Sequence, residues 1–262
     1  ADPQDPVATR FLAEFHRQLG PQAQAVPLYE RSLAIVERQL GPEHPITALI
    51  LGSLAGVQTQ LGRLDLALAA AQRSVAIREK RLGPMHPQLA LGLNLLGEVY
   101  RGLGQDDKVL PLLQRTLAMY EQTLGPEHPD VAMALNNLGG YHESHGRSAQ
   151  AQPLYERSLV IIERRLGPDH PFVASSLSNL GALHQAAGQP ERALPLHRRA
   201  LVIRERALGP DHPEAAISLH NLAVALAATG DVPGAFESLH RSIAIAHASP
   251  AGAEVLWASQ AD

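Results

Sequence analysis

Five histidines recur on a fixed ruler. His44, His86, His128, His170 and His212 each stand in a hexapeptide: LGPEHP, LGPMHP, LGPEHP, LGPDHP and LGPDHP. The glycines of these copies, Gly41, Gly83, Gly125, Gly167 and Gly209, are 42 residues apart each time. Regularly spaced imidazoles could form a metal-binding array, here without thiolates, because the chain has no cysteine. The spacing argues against it. Zinc takes its nitrogens at about 2.0–2.1 Å from one ion, whereas equivalent residues of packed helical units are on the order of 8–10 Å apart. Each histidine also precedes a proline, which suits the first position of a helix and pushes its predecessor out of helical geometry. The five histidines are therefore expected to close the loop that enters a helix, and no metal is expected. The string HESH at 142–145 holds histidines three apart, not the four of the zinc-protease helix motif. His142 falls on a core stripe where Tyr100 and His184 stand in neighbouring periods.

The elements that carry these loops follow from one period, residues 127–168. Leu135, Leu138, Gly139 and His142 fall at i, i+3, i+4 and i+7, one stripe of a helix, and Gly146 breaks it. A second helical pattern runs through Ala151, Leu154, Tyr155, Ser158, Leu159 and Ile162. It ends in RRLGP, with basic residues in the last turn and glycine at the stop. Each period reads as helix A, tight turn, helix B, loop. Helix A repeats a core leucine at Leu12, Leu54, Leu96, Leu138, Leu180 and Leu222. A small neighbour follows at Ala13, Ala55, Gly97, Gly139, Gly181 and Ala223, expected to let two backbones approach. Helix B has its small position at Ala25, Ala67, Ala151, Ala193 and Ala235, with Val109 as the exception. One such hairpin cannot bury its own apolar face, but six stacked hairpins can. Pro27, Pro111, Pro153 and Pro195 sit two residues after the small position, and a late start or a bend of helix B is expected there.

These residues resemble the tetratricopeptide repeat, whose small and large positions match Leu138, Gly139, Ala151, Tyr155 and Ser158 and their equivalents. The usual period is about 34 residues, and the longer unit with its LGPxHPxVA…LNNLG pattern is similar to the kinesin-light-chain type. The resemblance covers residues 5–247. It implies an all-α, right-handed superhelical solenoid of six helix-turn-helix repeats, at about 1–41, 42–83, 84–125, 126–167, 168–209 and 210–247. Residues 248–262, with Val255, Leu256 and Trp257, read as a partial C-terminal cap, a tail, or the start of a further repeat.

Composition narrows the classes of function. Aromatic residues are 4% of the chain, which suits helix packed on helix better than sheet. A net charge of −4 gives no basic excess for a phosphate backbone, and no nucleic-acid partner is expected. No apolar run approaches 18 residues and no signal-peptide pattern appears, so no membrane partner and a cytoplasmic location are expected. The chain opens Ala1-Asp2-Pro3 without methionine and is read as a processed piece. Helix B carries mixed charges, as in ERSLAIVER at 30–38 and RSVAIREKR at 73–81, expected on a solvated outer face with pairs three or four residues apart. No nucleophile–base pair, phosphate loop or carboxylate cluster stands out, so neither an enzyme nor a cofactor is expected.

Helix A has a second stripe: Met133, Asn137, Gly140 and Ser144 in one repeat, with asparagine returning at Asn179 and Asn221. Asparagine is a mediocre helix former, and its amide offers both donor and acceptor. The resemblance implies that asparagines here hold an extended peptide along a concave groove. The alternative is that they bond between neighbouring helices and set the superhelix. In the first half the equivalent positions are Phe11, Ser53 and Leu95. Asn94 and Asn136 lie one residue earlier, toward the groove edge, and Leu49, Leu91, Leu95 and Met133 make this half apolar. Lysine and arginine are nearly missing from this face, Arg101 being the main exception, so a free carboxylate or acidic tail is not the expected ligand. The function expected is a scaffold holding a protein or peptide partner in its groove. The alternative is a self-associating homo-oligomer, or a regulatory sensor array of a larger protein.

Overall fold

The computed structural model describes residues 22–248, which form helices and short connections with no strand among them. Two compact units divide the chain after Pro126. The N-terminal unit holds α1 (Gln22–Leu40), α2 (Pro45–Gln60), α3 (Leu64–Leu82), α4 (Pro87–Gly102) and α5 (Asp106–Leu124). The C-terminal unit holds α6 (Pro129–Ser144), α7 (Ser148–Leu166), α8 (Pro171–Ala186), α9 (Pro190–Leu208), α10 (Pro213–Ala228) and α11 (Val232–Ala248). Within each unit every helix packs against its chain neighbours. The A helices α2 and α4 also touch, as do α6, α8 and α10 in turn. The expected leucine and small residue of the first helix A, Leu12 and Ala13, lie outside the described residues, as do Phe11 and the tail from Ser249.

The recurring hexapeptide is a helix stop followed by a helix start. Helix B ends on a glycine with φ between +88° and +96°, a conformation that costs glycine little. The histidine three residues on takes an extended backbone, near φ −73° and ψ 145° at His44. Its Nδ1 accepts a hydrogen bond from the backbone N–H two residues later, at 3.2 Å in all five copies, from Ile46, Gln88, Asp130, Phe172 and Glu214. Imidazole thus performs the capping task usually given to serine, threonine, asparagine or aspartate, and the proline that follows fills the first helical position.

The four prolines do not delay helix B. α5 begins at Asp106 with Pro111 as its sixth residue, and α3, which has Ala69 in that register, begins at the equivalent Leu64. Pro27, Pro153 and Pro195 lie equally deep in α1, α7 and α9. All four rings are exposed, as are Ala23, Asp107, Ala149 and Glu191, whose carbonyls lose their partner. At such exposed positions water can take the place of the missing hydrogen bond, and the helix keeps its first turn.

Leu54, Leu96, Leu138, Leu180 and Leu222 are all buried. Two of the small residues beside them, Gly139 and Gly181, make room for something other than a backbone, while a Cβ on Gly97 would meet nothing within 4 Å. A Cβ on Gly139 would stand 2.6 Å from the Tyr155 ring, and one on Gly181 would stand within 2.8 Å of both His197 ring nitrogens. The glycine is the socket for a ring that helix B projects. Buried serines tie three of the hairpins: Ser74, Ser158 and Ser242 donate to the carbonyls of Ala48, Ala132 and Ala216 at 2.6–2.8 Å. His142, expected in the core, is half-buried against Tyr141, and burial lowers its pKa.

On helix B, where pairs three or four residues apart were expected, four arginines pair instead with a glutamate of the preceding B helix. Arg73 meets Glu37 and Arg115 meets Glu79 in the N-terminal unit. Arg199 meets Glu163 and Arg241 meets Glu205 in the C-terminal unit. Each of these arginines also donates to a carbonyl of the preceding loop: Pro42, Pro84, Pro168 or Pro210. The loop proline lacks an N–H but keeps a carbonyl aimed at the next layer.

Candidate functional site

In the N-terminal unit α2 and α4 lie side by side with α3 behind them. Leucines stand on their open face: Leu49 is 42% exposed, Leu91 is 58% exposed, and Leu95 is half-buried. They border a cavity of about 270 Å³ lined by Ile46, Leu49, Arg78, Gln88 and Leu91 among others. A second, of about 520 Å³, is lined by Leu49, Gly52, Ser53, Arg78, Leu91 and Leu95 among others. Leu91 and Leu95, expected to line an apolar groove, are therefore brought together with Leu49.

Both cavities contain Arg78, which overturns the expectation that this face lacks a cation apart from Arg101. Arg78 belongs to the RSVAIREKR run expected on the outer wall. Its register is held by Val36, Tyr120, Ile162 and Ala246 in other repeats, all buried or aromatic, so the side chain is directed inward. It emerges between two glycines: a Cβ on Gly52 would lie 3.3 Å from one guanidinium nitrogen, and one on Gly92 would lie 2.9 Å from the other. No described residue forms a hydrogen bond or ion pair with it. Burial alone pulls its pKa below the usual arginine value. An arginine among apolar and neutral residues was legible only as a register anomaly, a charge at a position otherwise apolar.

In the C-terminal unit the stripe residues sit on α6, α8 and α10. Met133 and Asn137 are exposed one turn apart, and Asn179 and Asn221 are half-buried. The hydrogen bonds among the described residues include none from these three amides. The inter-helix role falls instead to Asn136, whose Nδ2 donates to Ser176 Oγ of α8 at 3.2 Å. The Oδ1 atoms of Asn136 and of Asn94 are buried without a partner, and Asn94 lines neither cavity. Among the described residues no three histidines or carboxylates gather as a metal site, and no helix is long and apolar enough to cross a membrane.

The tetratricopeptide-repeat model matches five overlapping stretches, residues 6–80, 51–122, 88–159, 146–205 and 173–248. The chain belongs to the tetratricopeptide-repeat family. Its 42-residue units are of the kinesin-light-chain type. The nearly identical TPR-like repeats of a kinesin light chain from Podosopora anserina are 30% identical over 78% of this chain and 96% of that one, with a TM-score of 0.64. BtubC (BKLC) from P. vanneervenii superposes with a TM-score of 0.70 at 24% identity, over 89% of this chain and 91% of that one. A Rap protein complexed with Competence and Sporulation Factor shares the fold, with a TM-score of 0.63 at 15% identity, over 92% of this chain and 74% of that one. No curated protein matches the sequence. Tetratricopeptide arrays are protein–protein interaction scaffolds, and an all-α helical repeat is the fold found here.

Proposed function

We propose that this tetratricopeptide array is a non-enzymatic scaffold whose inner face holds a peptide segment of a partner protein. One observation carries the reading: exposed leucines surround open cavities that also contain a cation with no partner among the described residues. Apolar surface left open beside a polar anchor is what an interaction site needs. An apolar side chain of the peptide fills the cavity between Leu49 and Leu91, and a neighbouring aspartate or glutamate pairs with Arg78. In the C-terminal unit the unbonded amides of Asn137, Asn179 and Asn221 offer donors and acceptors to a peptide backbone, with Met133 as an apolar neighbour.

The test is peptide selection from a random display library on the whole chain. Selected peptides are then measured against two variants of unchanged helicity, Leu91→Ser with Leu95→Ser and Asn179→Ala with Asn221→Ala. Loss of binding of about tenfold in either variant supports the groove, in line with the cost of truncating an interface anchor. Equal binding to the wild type and both variants rejects it. So does a stable homo-oligomer, seen by light scattering, whose interface covers these leucines.

A further inference from the structure

Arginine occupies the register of Arg78 once more, three periods later, at Arg204. There it is 7% exposed and bonded through one terminal nitrogen, with a carboxylate beside it. Its Nη1 donates to Ser178 Oγ at 3.1 Å and to Ser218 Oγ, and its Nε lies 3.4 Å from a Glu214 carboxylate oxygen. The three equivalent positions around Arg78 are Gly52, Gly92 and Gln88. Each has lost the group that answers Arg204: two hydroxyls are replaced by hydrogen, and a carboxylate by an amide. A third repeat shows the same spot without any arginine. Ile162 stands in the register, and Asn136 bonds Ser176 directly across it.

We infer that Gly52, Gly92 and Gln88 are specificity-determining residues, which leave Arg78 open so that the N-terminal unit selects a carboxylate, while Ser178, Ser218 and Glu214 close the same register in the C-terminal unit. This rests on the proposed peptide-binding function and fixes where in the array an acidic side chain docks. The glycines act in two ways. They withhold partners from the guanidinium, and they leave room for its two terminal nitrogens beside the cavity that Arg78 lines. A singly charged carboxylate fits better than a phosphate dianion. The other arginine lining the first cavity, Arg81, already donates to the Glu43 backbone carbonyl and meets its carboxylate, so only one cation is unspent.

The experiment is a titration of the whole chain with sodium acetate against sodium chloride of equal ionic strength. It is read by the arginine Nε–H nuclear magnetic resonance signals, with Arg78→Lys and Arg204→Lys identifying the two. Acetate is expected to move Arg78 and to leave Arg204 still. Gln88→Glu, which adds no Cβ at the glycines, is expected to weaken the acetate response of Arg78 by about tenfold, the scale of one charge-assisted hydrogen bond. The triple variant Gly52→Ser, Gly92→Ser, Gln88→Glu is expected to abolish it. Ser178→Gly, Ser218→Gly, Glu214→Gln is expected to make Arg204 respond. An unresponsive Arg78 in the wild type, or an equal response in Gln88→Glu, overturns the inference. If library peptides still lose binding on the Leu91→Ser, Leu95→Ser variant, the scaffold reading stands without it. If Arg78 responds to acetate but no peptide needs the leucines, the selective site stands and the peptide groove falls.

Discussion

Arg78 and Arg204 hold the same place in their repeats and have opposite fates. In the C-terminal unit the guanidinium is enclosed by Ser178, Ser218 and Glu214. In the N-terminal unit it faces open cavities over two glycines. The frame around the two is largely shared: histidine cap, glycine stop and core leucine recur in both repeats, although the serine tie of Ser74 has Ala200 in its place beside Arg204. The difference teaches that this fold separates frame from content. The frame is specified by residues that repeat every 42 positions, and the content by the few inward positions that are free to vary.

The comparison can be broken first at the frame. Leu93 and Leu177 stand in one register, each about 1% exposed. Truncating either to alanine should cost about 2–5 kcal/mol, the range for a buried leucine. Urea denaturation should find the two losses alike; a difference of several kcal/mol between them would show that the units do not share one frame. The next effect belongs to the C-terminal unit alone. His197 is buried over Gly181 with neither ring nitrogen bonded, and burial, with Arg204 nearby, lowers its pKa to about 4. The unfolded chain binds that proton near pH 6.5, so stability is complete above pH 6.5 and falls as pH drops toward 4, by about 3 kcal/mol at most. The N-terminal unit has Tyr29, Ala71 and Leu113 in this register. His197→Phe should flatten the decline in urea midpoints between pH 7 and 4, and a decline unchanged in that variant would remove His197 as its cause.

The arginine shells come third. Ser178→Ala and Ser218→Ala should each destabilise by about 1–3 kcal/mol, because each leaves a donor of buried Arg204 unmatched. In the N-terminal unit Gln88→Glu should do the reverse and raise stability, since it gives Arg78 a carboxylate. Thermal unfolding decides the signs. The smallest effect is again common to both units. Arg115→Ala and Arg199→Ala remove half-exposed inter-helix ion pairs and should cost about 0.2–1 kcal/mol each. That cost should shrink in 1 M salt through screening, and a loss equal at both salt concentrations would point to the loop-carbonyl hydrogen bond as the larger contribution.

Much of this was legible along the chain. The histidine caps could be read from His-Pro spacing, because a cap acts over two residues. The core leucines could be read from helical period. Of the late start or bend expected at the four prolines, the late start does not occur, since whether a lost hydrogen bond matters depends on whether water reaches the carbonyl. The small positions Gly139 and Gly181 were recognised as close approaches, but what approaches is a ring on the next helix, set by Tyr155 and His197. The amides were half-legible: Asn137, Asn179 and Asn221 were expected on an open stripe, while the inter-helix bond is made by Asn136, one residue away.

The sequence by itself determined the period, the helix ends and the leucine core, because each rests on interactions within a few residues or on a stripe repeated six times. Only the tertiary structure decided which arginine of helix B turns inward and whether it is answered. Its answering groups lie 26 positions before it and 14 after it, at 178 and 218 around Arg204. They meet only when three helices pack, and no local rule of propensity or capping connects them.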